Sequence, residues 1–153
     1  MSGGILDSLH PDLRIAWEKM GSYVGPASAE ELEKLLKYFP DPPAEYLELI
    51  QRYKDLQIES KEGTREYVYF SLLSPLDVVS WLEWYSWLQV ELPGSFFFAQ
   101  DGDMAYFIGE NEGREGVYHV QISAPDWTYA DYIAPSIRAW LCDGVGWADK
   151  ENL

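Results

Sequence analysis

The chain has 153 residues, 47% apolar and 24% charged, values that exclude a disordered chain and leave room for one domain and hardly two. Asp and Glu number 26 against 11 Lys and Arg, and the resulting net charge of −15 has the wrong sign for phosphate backbones and anionic lipid surfaces. A single cysteine, Cys142, excludes an intrachain disulfide and a four-Cys zinc site.

Met1 to Asp7 lacks a basic stretch followed by an apolar run, so no signal peptide is read there. No apolar segment approaches 18 residues, which leaves no membrane span and makes the cytoplasm the expected compartment. Leu9, Leu13, Ala16, Trp17 and Met20 follow i, i+4, i+7, i+8, i+11, which predicts a first helix stopped by Gly21, with Pro11 tolerated in its first turn. Gly25-Pro26 breaks the chain. Ser28 and Glu31 then have the spacing of a capping box ahead of Leu32, Leu35, Leu36 and Phe39, a helix that Pro40 ends. Pro42-Pro43 can open a third helix with the stripe Tyr46, Leu49, Ile50 and Tyr53.

The second half reads mostly as strands. Leu56 to Ile58 and Tyr67 to Phe70 favour β structure and flank the polar loop Glu59 to Glu66. Ser74-Pro75 caps a helix from Leu76 to about Leu88. After the Pro93-Gly94 break come strands at Phe96 to Gln100, Met104 to Gly109 and Val117 to Ser123. Asp101-Gly102-Asp103 joins the first two as a hairpin, and a glycine-containing loop from Glu110 to Gly116 joins the second pair. A last helix, about Ala130 to Cys142, carries Ile133, Ile137, Trp140 and Leu141. The predicted class is α+β: N-terminal helices packed on a mostly antiparallel sheet, a further helix between strands, and a C-terminal helix.

Charge is unevenly spread along this order. Residues 1–65 hold 12 acidic and 8 basic residues, a net of −4, whereas 66–153 hold 14 and 3, a net of −11. Between Arg65 and Arg114 there is no Lys or Arg, against eight carboxylates.

Chemistry-bearing motifs are few. His10 and His119 lie far apart, and neither His-x-x-x-His nor Cys-x-x-Cys occurs, so no metal site is expected. Asp101-Gly102-Asp103 runs into a strand instead of a twelve-residue calcium loop. Gly109, Gly113 and Gly116 precede a strand and sit among Glu110, Glu112 and Glu115, whose carboxylates repel a phosphate. No Gly-x-Ser-x-Gly elbow is present, and carboxylate pairs in so acidic a chain carry no specificity. The expectation is a protein that is not an enzyme and takes no cofactor.

The aromatic helix is the stronger signal. Trp81, Trp84, Tyr85 and Leu88 fall on one face, and Trp87 points elsewhere. Three Trp within seven residues cannot all be buried in a chain this small, and exposed indoles are what protein interfaces use as anchors. Single-stranded nucleic acid needs a basic groove beside such rings, and residues 66–113 supply none. The candidate partner-binding residues are therefore Trp81, Trp84 and Trp87 with the acidic Asp101, Asp103, Glu110 and Glu112.

The run Ser28 to Leu35, followed by Phe39-Pro40-Asp41-Pro42-Pro43-Ala44-Glu45-Tyr46-Leu47-Glu48-Leu49, resembles the opening of the SUKH superfamily. Phe97-Phe98-Ala99-Gln100-Asp101-Gly102-Asp103 matches its strand and Asp-Gly turn, and Tyr132-Ile133 to Trp140-Leu141 its last helix. The family often has Asn-Gly after the second helix, where this chain has Tyr53-Lys54, and its run of glycines after the strand is reduced to Gly102. The resemblance covers roughly residues 26–141 of a single domain spanning 1–153, with 1–25 as a helical extension. It implies a non-catalytic α+β domain that binds a basic protein, in bacteria a cognate toxin, often a nuclease, which it neutralises. The family's other branch implies a regulatory or scaffolding module without a toxin partner.

Overall fold

The computed structural model describes residues 4–21, 24–64 and 67–148. Met1 to Gly3 lie outside them, as do Arg65 and Glu66, at the start of the basic-free segment. The architecture is α+β. Seven strands form one antiparallel sheet in sequential order: β1 (Leu13–Ile15), β2 (Gln57–Ser60), β3 (Tyr69–Leu72), β4 (Phe96–Asp101), β5 (Met104–Asn111), β6 (Arg114–Gln121) and β7 (Asp131–Ala134). Helices α1 (Ala29–Tyr38) and α2 (Ala44–Ile50) stand between β1 and β2. Between β3 and β4 come α3 (Pro75–Trp84) and α4 (Trp87–Glu91), and α5 (Ile137–Leu141) follows β7.

The capping box forms as read. The Ser28 hydroxyl accepts from the Glu31 amide at 3.1 Å, and the Glu31 carboxylate accepts from the Ser28 amide at 2.9 Å. Pro43 sits at the N-cap of α2, and Ser74 accepts from the Asp77 amide with Pro75 at the first helical position of α3.

Four expectations need correction. The apolar residues of 9–20 do not form a helix. Two short 3-10 turns, Ile5–Asp7 and Trp17–Lys19, flank a strand whose Ile15 stands opposite Ile58, and the Ala16 amide donates to the Gln57 carbonyl at 2.9 Å. A stripe of about three turns is marginal on its own, and the edge of β2 offers those amides partners that solvent cannot better. The segment is thus part of the sheet and not a helical extension.

The helix expected over 130–142 is a strand and then a helix. Pro135 has no amide hydrogen and its ring clashes with the preceding turn, so the chain stays extended through β7 and α5 starts only after Ser136, whose hydroxyl caps the Ala139 amide at 3.0 Å. The helix expected over 76–88 is broken at Tyr85, whose ring folds back onto Trp81 at 4.8 Å, and the new direction of α4 buries Leu88 and Leu92. The loop expected over 110–116 is a continuation of β5 and β6, with Asn111 opposite Arg114. Only Glu112 and Gly113 turn, at φ 54° and 80°, the left-handed pair that a two-residue hairpin requires.

Both faces of β5 are covered, because Ala105, Tyr106 and Phe107 are all buried and successive side chains alternate. On one face Tyr106 lies 4.7 Å from Trp140 of α5, which also stacks on Phe70 at 5.0 Å. On the other, Phe107 packs against Phe97 at 4.8 Å, and Phe97 meets Trp81 of α3 at 6.3 Å. Sixteen per cent aromatic content is therefore largely spent on two aromatic layers. The N-terminal segment ties onto the C-terminal one: the His10 amide donates to the Leu141 carbonyl at 2.9 Å and its ring meets Trp147 at 4.8 Å.

Candidate protein-binding surface

Helix α3 enters the core through Pro75, Val78 and Trp81, which recur at the three-residue spacing of one helical face. Trp81 is 6% exposed, wedged against Tyr85 and Phe97, so it supports the sheet and is closed to a partner. This corrects its place among the binding candidates. Trp84, one turn on, is 59% exposed and makes no ring contact among the described residues. Trp87 is 42% exposed, and Val90, three residues later on the same face of α4, is 73% exposed.

The elbow between α3 and α4 thus presents two indoles and a valine to solvent. Trp87 is held in place: its Nε1–H donates to the Ile122 carbonyl at 2.7 Å, and its ring meets Tyr85 at 5.5 Å and 79°. Trp84 and Trp87 are thus indoles left at the surface, where the sequence predicts at least one of the three. Val90 was missed there, although its spacing from Trp87 was the available signal.

Ile122 also connects this elbow to acidic chain. Its amide donates to the Asp103 carbonyl at 2.8 Å, and Gln121 Nε2 donates to the Asp103 carboxylate at 3.3 Å. Asp103 therefore stands in the β4–β5 hairpin just across Ile122 from Trp87, with Gly102 taking the positive φ of 61° that the turn needs. Asp101 closes the same hairpin opposite Met104 but belongs to the sheet face of Tyr106 and His119. Burial pushes the Asp101 carboxyl up, Asp103 adds to the rise, and the nearby His119 opposes it. The Tyr106 hydroxyl beneath is pushed up to about 12 by burial and by the Asp101 charge.

Glu110 and Glu112 lie elsewhere. Seven residue steps of β5 separate Met104 from Asn111, about 23 Å at the rise of an extended strand. Glu110 faces Glu115 across the β5–β6 hairpin, and the neighbouring Arg114 is laid over Tyr132 at 3.5 Å from the ring centre. The structure brings Trp84, Trp87 and Asp103 to one end of the sheet and carries Glu110 and Glu112 to the other.

Four cations of the first half are paired locally. Arg14 pairs with Glu18 and with Glu59 at 3.4 Å, Lys19 with Glu59 at 2.8 Å, Arg52 with Asp7 at 2.9 Å, and Lys54 with Glu31 at 3.1 Å. Asp77, Glu83, Glu91, Asp103, Glu110 and Glu112 have no such salt bridge among the described residues. No group of three His, Cys, Asp or Glu among those residues could hold a metal ion, and no helix among them is long and apolar enough to cross a membrane. No family model matches the sequence, and no curated protein does either.

Proposed function

We propose that this chain is a non-enzymatic, acidic protein-binding domain that docks a basic protein and neutralises it, in the manner of an immunity protein acting on a toxin, often a nuclease. The observation that carries this reading is the union of two exposed indoles, Trp87 held by its bond to Ile122 and Trp84 three residues before it, with carboxylates that make no salt bridge among the described residues. The resemblance of residues 26–141 to the SUKH superfamily points the same way. The sign of the charge favours a partner built to hold nucleic acid, because such a partner must itself be basic. Opposed fields speed the encounter, and desolvated aromatic anchors slow release. On this reading the chain works inside the cell that makes the toxin, in the cytoplasm, with no nucleic acid or membrane bound directly.

The test is affinity purification of the tagged full chain from its own cells, washed first at low and then at high salt. The expected result is one stoichiometric basic protein that survives the high-salt wash. A scatter of weak partners, all lost in salt, would overturn the immunity reading in favour of a regulatory or scaffolding module.

A further inference from the structure

Resting on the reading of this chain as a binder of a basic protein, we propose that the Trp84–Trp87 elbow selects arginine side chains on that partner, stacking guanidinium planes on the two indoles. The chain lays its own cations over other rings: Lys19 Nζ stands 4.8 Å from the Tyr69 ring centre, Arg52 5.6 Å from Tyr53, and Arg114 3.5 Å from Tyr132. Trp84 has neither a ring nor a cation against it among the described residues, and the one ring against Trp87 among them is that of Tyr85. No Lys or Arg occurs from residue 66 to residue 113, so the surrounding sequence offers these indoles no cation of its own.

Indole is the strongest cation-binding ring among side chains. Guanidinium suits it better than ammonium because it is planar and more weakly hydrated. The rest of the elbow matches an arginine in parts. Val90 offers apolar surface to the methylene stem. Glu91, four residues from Trp87 on α4, and Asp103, across Ile122, offer carboxylates to the head. The hydrogen bond from Trp87 to Ile122 fixes its ring before anything binds, which lowers the ordering cost of association. Trp17, also half exposed, is a poor alternative: it stands edge-on to Tyr53, and Arg52 lies over that same ring.

The experiment titrates the full chain with an eight-residue arginine peptide and an eight-residue lysine peptide at equal ionic strength, following the Trp indole N–H signals by NMR. The arginine peptide should bind about fivefold or more tightly than the lysine peptide, the advantage expected of two exposed cation–π contacts, and should shift the Trp84 and Trp87 signals. W84A, which removes no ring contact or hydrogen bond among the described residues, should bring the two peptides within about twofold of each other, and W87A should do the same. Equal affinity of the parent chain for both peptides, or an arginine preference that survives in W84A and W87A alike, would overturn the assignment while leaving the basic-partner reading intact. Binding of neither peptide would overturn both.

Discussion

Trp81 and Trp84 stand one helical turn apart in α3 and meet opposite surroundings, the first wedged between Tyr85 and Phe97, the second in solvent. Truncation should separate them in a urea melt. W81A leaves a cavity under the sheet and should cost about 3–5 kcal/mol, whereas W84A should stay within about 0.5 kcal/mol of the parent. Comparable losses from both would contradict the placement of Trp84. Glu31 gives a pH-dependent counterpart. Burial of its carboxylate opposes ionisation, but the Ser28 amide and Lys54 Nζ outweigh that and hold the carboxyl below its ordinary value of 4.5. A group lowered on folding stabilises fully above its unfolded value and loses that contribution as pH falls through the folded one. Stability should therefore decline on acidification below about pH 4.5, with a shallower decline in E31Q; identical acid limbs would show that Glu31 is not the group concerned.

At the scale of elements, what the sequence disclosed depended on whether the deciding group lay nearby. Ser28 with Glu31, and Ser74 with Pro75, are local signals, and α1 and α3 begin where those signals stand. Pro135 is equally local and divides β7 from α5, yet the apolar spacing of Ile133, Ile137, Trp140 and Leu141 outweighed it in the expectation of a single helix. Other elements are decided at a distance. β1 exists because β2 pairs with it more than forty residues later in the chain, which no apolar spacing near Leu13 can express. The start of α5 has a partner from α2: Glu45 accepts from the Ile137 amide at 2.8 Å and from the Arg138 amide at 3.1 Å. A carboxylate at a helix N-terminus satisfies free donors and opposes the helix dipole. E45A should then cost about 1–3 kcal/mol in a thermal or urea melt, and an unchanged midpoint would show that water replaces the carboxylate without loss.

For the whole molecule, sequence disclosed the amount and sign of charge but not its arrangement. Asp103 and Glu112 look alike in the sequence, nine residues apart in an acidic run, but the eight residues of β5 put them at opposite ends of the sheet. Trp81 and Trp84 look alike in the sequence as well, but the face of α3 that meets the core carries Trp81 and leaves Trp84 exposed. On the proposed function, the end of the molecule with Trp84, Trp87 and Asp103 is the docking end, and the Glu112 hairpin is a remote contributor to the field. The measurement that tests this most directly is the association rate of the basic partner, taken across a range of salt, with the parent, D103K and E112K chains. D103K should slow association several-fold at low salt, with the difference shrinking as screening grows, and E112K should act distinctly less. Equal effects of the two reversals, or a rate that neither changes at any salt, would contradict it.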